Sequence, residues 1–203
     1  MKLGEIDLLA EAEWVMKRGL DIAISVLGLI IGSPIILITI GLVRLETPGP
    51  GIFRQIRLGR HRRTFTMYKV RTMRLGTGDA PSHKVGVNSV TDVGRVLRNL
   101  KLDELPQLWN VLRGDMSLVG PRPCLPSQSE LIRERLERGV FEVRPGITGL
   151  AQIRGIDMSA PECLAAIDAE YIRDRTFAGD LKLIFRTLGG SGRGDAAPNG
   201  RLS

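Results

Sequence analysis

The dominant feature of the hydropathy pattern is an uncharged apolar run over residues 22–43. A helix needs about 20 apolar residues to cross a bilayer, and this run meets that length. Ser33 and Pro34 interrupt it near its midpoint. Proline removes a backbone donor and costs roughly 3 kcal/mol inside a helix. The Ser33 hydroxyl can donate to the carbonyl that Pro34 leaves without a partner.

Two membrane arrangements fit this run. A helix broken at Ser33 and Pro34 can turn back to its side of origin, and a kinked helix can cross the bilayer. Basic residues on both sides of the run favour the helix that turns back, because the positive-inside rule keeps basic flanks on the cytoplasmic side. They are Lys17 and Arg18 before the run, then Arg44, Arg54, Arg57 and Arg60 after it. The residues alone leave both arrangements open.

Smaller signals mark the same segment. Asp21 follows Lys17 by one helical turn and can pair with it. Gly28 and Gly32 form a GxxxG pattern, which fits helix packing within the chain as well as a homodimer.

The remaining pattern predicts an α+β fold that is mainly helical. Residues 5–20 have apolar positions at helical spacing and predict an interfacial helix. Residues 52–58 and 63–70 predict a small β-hairpin. Helices are expected over 92–100 and from 105 to a glycine cap at Gly114.

This pattern divides the chain into four parts. They are an N-terminal interfacial helix (1–19), a membrane helix (20–44), a domain of strands and helices (45–188) and a flexible tail (189–203).

Composition narrows the functional classes. The 203 residues carry a formal charge of +7, which favours anionic partners such as phospholipids, phosphate-bearing substrates or nucleic acid. Aromatic residues make up only 4%, and single-strand binders need aromatic rings to stack bases, so no nucleic-acid partner is expected. The two histidines and two cysteines lack the spacing of zinc or redox sites.

Asp103 and Glu104 are the leading candidates for chemistry. They follow a basic segment that contains Arg95, Arg98 and Lys101, and they precede a predicted helix. One interpretation is structural, with Asp103 as the N-cap of that helix. The other is functional: nearby cations keep one carboxylate ionised and nucleophilic, while the other binds Mg²⁺.

Several basic motifs could hold phosphate. Arg122 lies between two prolines, and Arg144 opens the turn 144–149. Lys69 and Arg71 would share one face of a strand and could clamp a diphosphate or contact lipid headgroups. Asp168 lies one turn before Tyr171 on a predicted helix, as a surface acid or as part of a site. Each motif alone also fits a solvated surface.

Together and in this order, the motifs resemble the bacterial sugar transferases, the monotopic polyprenyl-phosphate phosphoglycosyl transferases in their minimal form. The resemblance covers about residues 15–188 and is strongest over 102–123. Its other motifs lie at 17–21, 33–34, 53–57, 68–73 and 143–149. A long ungapped run of this kind is far more specific than any of its short pieces.

The resemblance implies that residues 20–44 form a re-entrant helix broken at Ser33 and Pro34. It implies that residues 45–188 are a catalytic domain resting on the membrane interface, with its site on the cytoplasmic face of the bacterial inner membrane. It implies that Asp103 is the nucleophile and that Glu104 helps to hold Mg²⁺. It also assigns Arg98, Arg122 and Asp168 to the site.

The implied reaction transfers sugar-1-phosphate from a UDP-sugar to undecaprenyl (polyprenyl) phosphate. Asp103 first takes the phosphosugar and releases UMP, and the lipid phosphate then accepts the group. This step initiates bacterial exopolysaccharide or other glycoconjugate synthesis.

The sequence differs from the family pattern at two places, and two alternative functions stay open. Lys101 replaces a small hydroxyl residue, and the segment 155–159 lacks the polar pair usual in the family, so the donor sugar is not fixed. One rival function is a non-catalytic membrane-anchored module that binds anionic lipid or nucleic acid. Another keeps the enzyme but has the lipid phosphate attack the donor directly.

Overall fold

The computed structural model describes residues 3–76 and 89–190, with side chains from residue 14 onward. Most of the predicted tail, from residue 191, lies outside the described residues. The described chain is mainly helical with two small sheets, so the α+β prediction is confirmed.

The first element, α1, is a single helix from Leu3 to Glu46. It joins the predicted interfacial and membrane segments without a boundary near residue 19, and it continues through Ser33 and Pro34 rather than ending there. The Ser33 hydroxyl donates to the Ile30 carbonyl at 3.0 Å, which is the carbonyl that Pro34 leaves without its helical donor. The predicted role of Ser33 is confirmed, and it explains why the helix continues past the proline.

One side of α1 packs on the rest of the chain. A Cβ at Gly28 would lie 2.8 Å from Leu108, and one at Gly32 would lie 3.7 Å from Leu105. The GxxxG pattern is therefore used for packing within the chain. The predicted Lys17–Asp21 pair is wrong: Lys17 pairs with Asp180. Asp21 instead accepts a hydrogen bond from a backbone amide of a neighbouring strand.

The predicted hairpin is confirmed. Strand β1 (Ile52–Leu58) pairs antiparallel with β2 (Thr64–Val70) across a short 3-10 turn. Helix α2 (Asp92–Asn99) follows, with the Thr91 hydroxyl accepting from the Gly94 amide at 2.9 Å. Helix α3 (Gln107–Arg113) ends at Gly114, whose φ of +86° is left-handed and suits glycine, as predicted.

The second half completes the domain. Two short strands, β3 and β4, pair in parallel, and four further helices surround them. Their bounds are β3 Ser117–Val119, α4 Ser129–Glu137, β4 Gly146–Thr148, α5 Leu150–Ile153, α6 Pro161–Asp174 and α7 Phe177–Leu188. The main core lies where β2, α3, β3, α6 and α7 meet.

Candidate functional site

Asp103 and Glu104 lie in a 3-10 turn, Leu102–Glu104, between α2 and α3. Lys101, at φ 57°, turns the chain sharply before them. Pro106 is the N-cap of α3, and no side chain caps that helix. The interpretation of Asp103 as an N-cap is therefore wrong. Its side chain is nevertheless buried, with only 6% of the residue exposed.

Glu104 is held by two cations from different elements. Its Oε1 accepts from Lys69 Nζ on β2 at 2.9 Å and from Arg122 Nη2 at 3.1 Å. Burial alone would raise the pKa of Glu104, but Lys69 and Arg122 outweigh it and lower the pKa to about 2. Glu104 is therefore an anion at neutral pH.

Unlike Glu104, Asp103 is not held by the described cations through hydrogen bonds. Within the described part of the chain its carboxylate has no hydrogen-bond partner. Burial, and after it the like charge of Glu104, raise the pKa of Asp103, while Lys69, Arg98 and Arg122 act against the rise. A carboxylate without hydrogen bonds keeps its lone pairs available for attack on an electrophile.

Arg98 is directed to this region by tight packing of α2. A Cβ at Gly94 would lie 2.2 Å from the Thr72 carbonyl oxygen, so only glycine lets the helix approach so closely. One turn further on, Arg98 Nε donates to Thr72 Oγ1 at 2.9 Å. The contact fixes the guanidinium near the acid pair.

Arg122 lies in a loop that two glycine motifs build together. Gly120 N donates to Thr148 O, and Gly146 N donates to Pro121 O, both at 2.9 Å. A Cβ at Gly146 would lie 2.1 Å from Gly120 N. The motifs around Arg122 and Arg144, separate in sequence, are therefore adjacent backbones.

Two buried arginines support the Arg122 loop from below. Arg57 donates to the Pro123 carbonyl at 3.0 Å. Arg135 donates to the Arg122 carbonyl at 2.8 Å and makes two further bonds, at 3.0 and 2.7 Å, to Asp168 Oδ2. Burial raises the pKa of Asp168 and Arg135 acts against it. Asp168 thus reaches the site through Arg135, not by contact with Asp103.

Sequence reasoning missed both of these supports. Arg135 follows Leu131 by four positions on α4, and both are buried, at 2% and 1% exposure. A basic residue on the apolar face of a helix was the available signal. Arg57 carried no comparable signal, because β1 has arginines at 54 and 57, on opposite faces of the strand, so charge did not show which face is buried.

Two predicted phosphate ligands lie elsewhere. Arg71 donates to the carbonyls of Thr47 and Pro48, both at 2.8 Å, beyond the end of α1. Arg144 Nε donates to the Gly114 carbonyl at 2.8 Å. Neither takes part in the ion pairs of Glu104. Their roles as phosphate ligands stay predictions.

The acid pair fits a magnesium ion that shares its ligands with a substrate. No cluster of three or more acidic, histidine or cysteine ligands occurs among the described residues. Magnesium commonly takes only one or two carboxylates and completes its shell with substrate phosphates and water. Both cations on Glu104 contact Oε1, so Oε2 takes part in neither ion pair.

The chain also matches known proteins over nearly its whole length. Residues 12–192 match the family described as "Bacterial sugar transferase". The sequence is 42% identical to the uncharacterized sugar transferase EpsL of Bacillus subtilis over 86% of each chain.

Other relatives have names that state an activity, and two of them differ in the sugar. One is the UDP-glucose:undecaprenyl-phosphate glucose-1-phosphate transferase of Caulobacter vibrioides, 40% identical over 85% of this chain and 68% of the relative. The other is an N-acetylgalactosaminephosphotransferase of Aeromonas hydrophila, 38% identical over 85% of this chain but only 43% of the relative. The match to the family over residues 12–192, together with these relatives, shows that the chain belongs to the bacterial sugar transferases, as a phosphoglycosyl transferase.

Proposed function

We propose that the protein transfers sugar-1-phosphate from a UDP-sugar to undecaprenyl phosphate through a covalent intermediate on Asp103. One observation carries this proposal: Asp103 is buried and has no hydrogen-bond partner among the described residues, and it lies beside an anionic Glu104 within the field of three cations. The names of the Caulobacter and Aeromonas relatives support the same donor and acceptor classes.

In the first step, an Asp103 carboxylate oxygen attacks the phosphorus that bears the sugar. The new bond joins that oxygen to phosphorus, and the bond to the second phosphate breaks, so UMP leaves with the bonding electrons. Lys69, Arg98 and Arg122 stabilise the negative charge of the diphosphate as it enters and divides.

In the second step, a phosphate oxygen of the lipid attacks the same phosphorus. The bond to Asp103 breaks, the free carboxylate returns, and the product is a polyprenyl diphosphate sugar. A covalent intermediate lets one site serve a soluble donor and a membrane acceptor in turn, which direct attack would not allow.

Magnesium belongs to the same proposal. Glu104 would hold the ion through Oε2, and the ion would supply charge neutralisation on the substrate phosphates. Lys69 and Arg122 keep Glu104 ionised, which a magnesium ligand requires.

We further propose that the protein is monotopic on the cytoplasmic face. The stretch Trp14–Glu46 is long and apolar enough to cross a membrane, and only 17% of its most apolar window is buried in the protein. Yet both ends of this stretch contact the same polar domain: Lys17 pairs with Asp180, and Glu46 accepts from the Asp92 amide at 2.8 Å. A helix that crossed the bilayer would place these contacts on opposite sides of the membrane.

Release of UMP tests the reaction. The full chain, purified in detergent, is supplied with Mg²⁺, undecaprenyl phosphate and a panel of UDP-sugars. The panel is needed because the two named relatives carry different sugars, glucose and N-acetylgalactosamine. We expect UMP release with at least one donor, and its loss by at least about 1,000-fold in Asp103→Asn.

The control is Asp174→Asn, the same change at an exposed carboxylate that pairs with its neighbour Arg173. It should release UMP at the normal rate. Full activity in Asp103→Asn, with the control also active, would exclude Asp103 as the nucleophile.

A further inference from the structure

A second basic cleft lies beside residues 14–21 of α1. The space within it, including the open solvent at its mouth, is about 360 Å³. Its polar lining comprises Lys17, Arg18, Asp21, Ser117, Arg144, Tyr171 and Arg175, with Trp14 at the side. Gly32 lies against Leu105, near the acid pair. Arg18, in the cleft, lies about 20 Å from Gly32 along the axis of α1. The cleft is therefore separate from the Asp103 site.

The lining carries more positive than negative charge. Four of its residues are cationic, and Asp21 is its one acid among the described residues. Asp180 neutralises Lys17 from behind. Burial lowers the pKa of Arg144, and the neighbouring charges of Arg18 and Arg60 lower it further. Cations this close repel one another unless an anion joins them.

Part of this charge has a structural use. Arg18 donates to the carbonyls of Val111 and Leu112 at 2.8 and 3.1 Å, and Arg144 donates to Gly114. These contacts satisfy the C-terminal end of α3. They leave each guanidinium with further N–H groups, and Arg144 also lies over Trp14, 5.0 Å from the ring centre.

Two polar groups in the cleft have no such use. The Ser117 hydroxyl is buried, with 2% of the residue exposed; it lies beside Asp21, whose carboxyl has a pKa that burial raises and this hydroxyl helps to lower, but it makes no hydrogen bond of normal geometry with the described residues. Within the described residues, Arg175 likewise forms no hydrogen bond or ion pair. A buried hydroxyl without a partner costs free energy, and an incoming acceptor would remove that cost.

The position of the cleft indicates the source of the acceptor. Trp14, Lys17 and Arg18 come directly before the apolar run, at the level of lipid headgroups. Val15 and Met16, on the same turn, are 71% and 51% exposed and would lie among acyl chains. A ligand here would have its charged group in the cleft and its apolar part beside α1.

We propose that this cleft binds the phosphate of an anionic phospholipid and so anchors α1 in the membrane interface just before its apolar run. Arg175 and the Ser117 hydroxyl are the groups that await the phosphate, and Arg144 and Arg18 supply the surrounding field. The inference rests on the membrane placement of α1 and not on the transfer reaction.

Trp14 can report binding directly. The chain has two tryptophans, so Trp109→Phe leaves Trp14 as the single fluorophore. This full-length chain, in zwitterionic micelles, is titrated with short-chain phosphatidylglycerol. We expect a saturable change in Trp14 emission, weakened by salt. Arg175→Gln should raise the midpoint about tenfold, since one charge-assisted hydrogen bond is lost. Ser117→Ala should raise it less.

The matched control is Arg173→Gln. Arg173 lies two residues before Arg175 but pairs with Asp174 outside the cleft, so the midpoint should not change. Asp103→Asn should also bind normally, which separates this result from the fate of the transferase proposal.

Other probes identify the source of the phosphate. Short-chain phosphatidylcholine and glycerol 1-phosphate should give no saturable change in the same range. An equal response to either would overturn the proposal, as would an unchanged midpoint in Arg175→Gln. A prenyl phosphate that saturates the cleft below the phosphatidylglycerol midpoint would overturn the assignment to a phospholipid.

Discussion

Two buried aspartates in this domain have opposite surroundings. Asp168 is 3% exposed and accepts two hydrogen bonds from Arg135. Asp103 is 6% exposed and accepts none from the described residues. Burial therefore does not distinguish them, but the presence of a dedicated partner does. A buried charge without a partner is costly, and such costs concentrate at functional sites.

Their local charge differs as well. Asp168 and Arg135 neutralise each other. Around Asp103, two carboxylates meet three cations, Lys69, Arg98 and Arg122, which leaves a net positive charge. A site of this sign attracts phosphates, whereas the neutral Asp168–Arg135 pair is a support for the loop above it.

The largest expected contrast is in stability. Asp168→Asn leaves the guanidinium of Arg135 buried without its anion and should cost about 3–5 kcal/mol of unfolding free energy. Asp103→Asn removes an unpaired buried charge and should leave the free energy unchanged or higher. Denaturant unfolding in detergent measures both.

A double variant sharpens this contrast. Arg135→Met with Asp168→Leu removes both charges and should recover most of the loss, because an apolar pair of similar size can replace a buried ion pair. If Asp103→Asn were the more destabilising single change, the distinction between the two aspartates would be wrong.

The rate of UMP release should depend more on the residues around Asp103 than on Asp168. Arg122→Gln removes a cation from the site and should lower the rate of UMP release about 100-fold. Asp168→Asn, assayed at a temperature where it stays folded, should lose less than about tenfold, because it acts only through the Arg122 carbonyl. Equal losses in the two variants would place Asp168 in contact with substrate.

The acid pair should also give a characteristic pH dependence of stability. The pKa of Glu104 falls on folding from 4.5 to about 2, so its stabilising effect is present above pH 4.5 and is lost as the pH falls toward 2. The Glu104→Gln variant should lack this loss. The pKa of Asp103 is raised by burial, so its ionisation lowers the stability at a pH above its ordinary pKa, opposite to Glu104. Transfer activity should fall once the pH drops below the raised pKa, because a protonated Asp103 cannot attack phosphorus.

The smallest effect concerns α1. Ser33→Ala leaves the Ile30 carbonyl without its donor beside Pro34 and should cost about 1 kcal/mol. Ser25→Ala is the matched control, because the buried Ser25 hydroxyl has no hydrogen-bond partner in the described part of the chain. A similar loss in both variants would mean that the Ser33 bond does not stabilise the helix.

Local signals in the sequence predicted the local structure well. The hairpin and the glycine end of α3 depend on residues close in the chain, and both are confirmed. The Ser33 bond was predicted for the same reason, since it needs only the missing amide of Pro34. The length of α1 was not predicted. No sequence signal near residue 20 showed that the interfacial segment and the membrane segment form one helix.

The site was only partly predictable. The basic and acidic motifs were identified, but spacing could not show that Lys69 and Arg122 meet on Glu104, since tertiary packing decides it. It also could not show that Arg71 and Arg144 point elsewhere. Asp168 is distinguished from Asp103 by its bonds to Arg135, a partner that lies 33 positions away in the sequence.

The most direct test of the central claim is to trap the intermediate. The full chain is incubated with Mg²⁺ and its accepted UDP-sugar, without lipid phosphate, then quenched and digested for mass spectrometry. Nucleophilic attack by Asp103 predicts that the peptide containing Asp103 gains the mass of one phosphosugar, with Asp103→Asn as the unmodified control. UMP release that occurs only with the lipid present, and never with a modified peptide, would contradict the account and favour direct attack by the lipid phosphate.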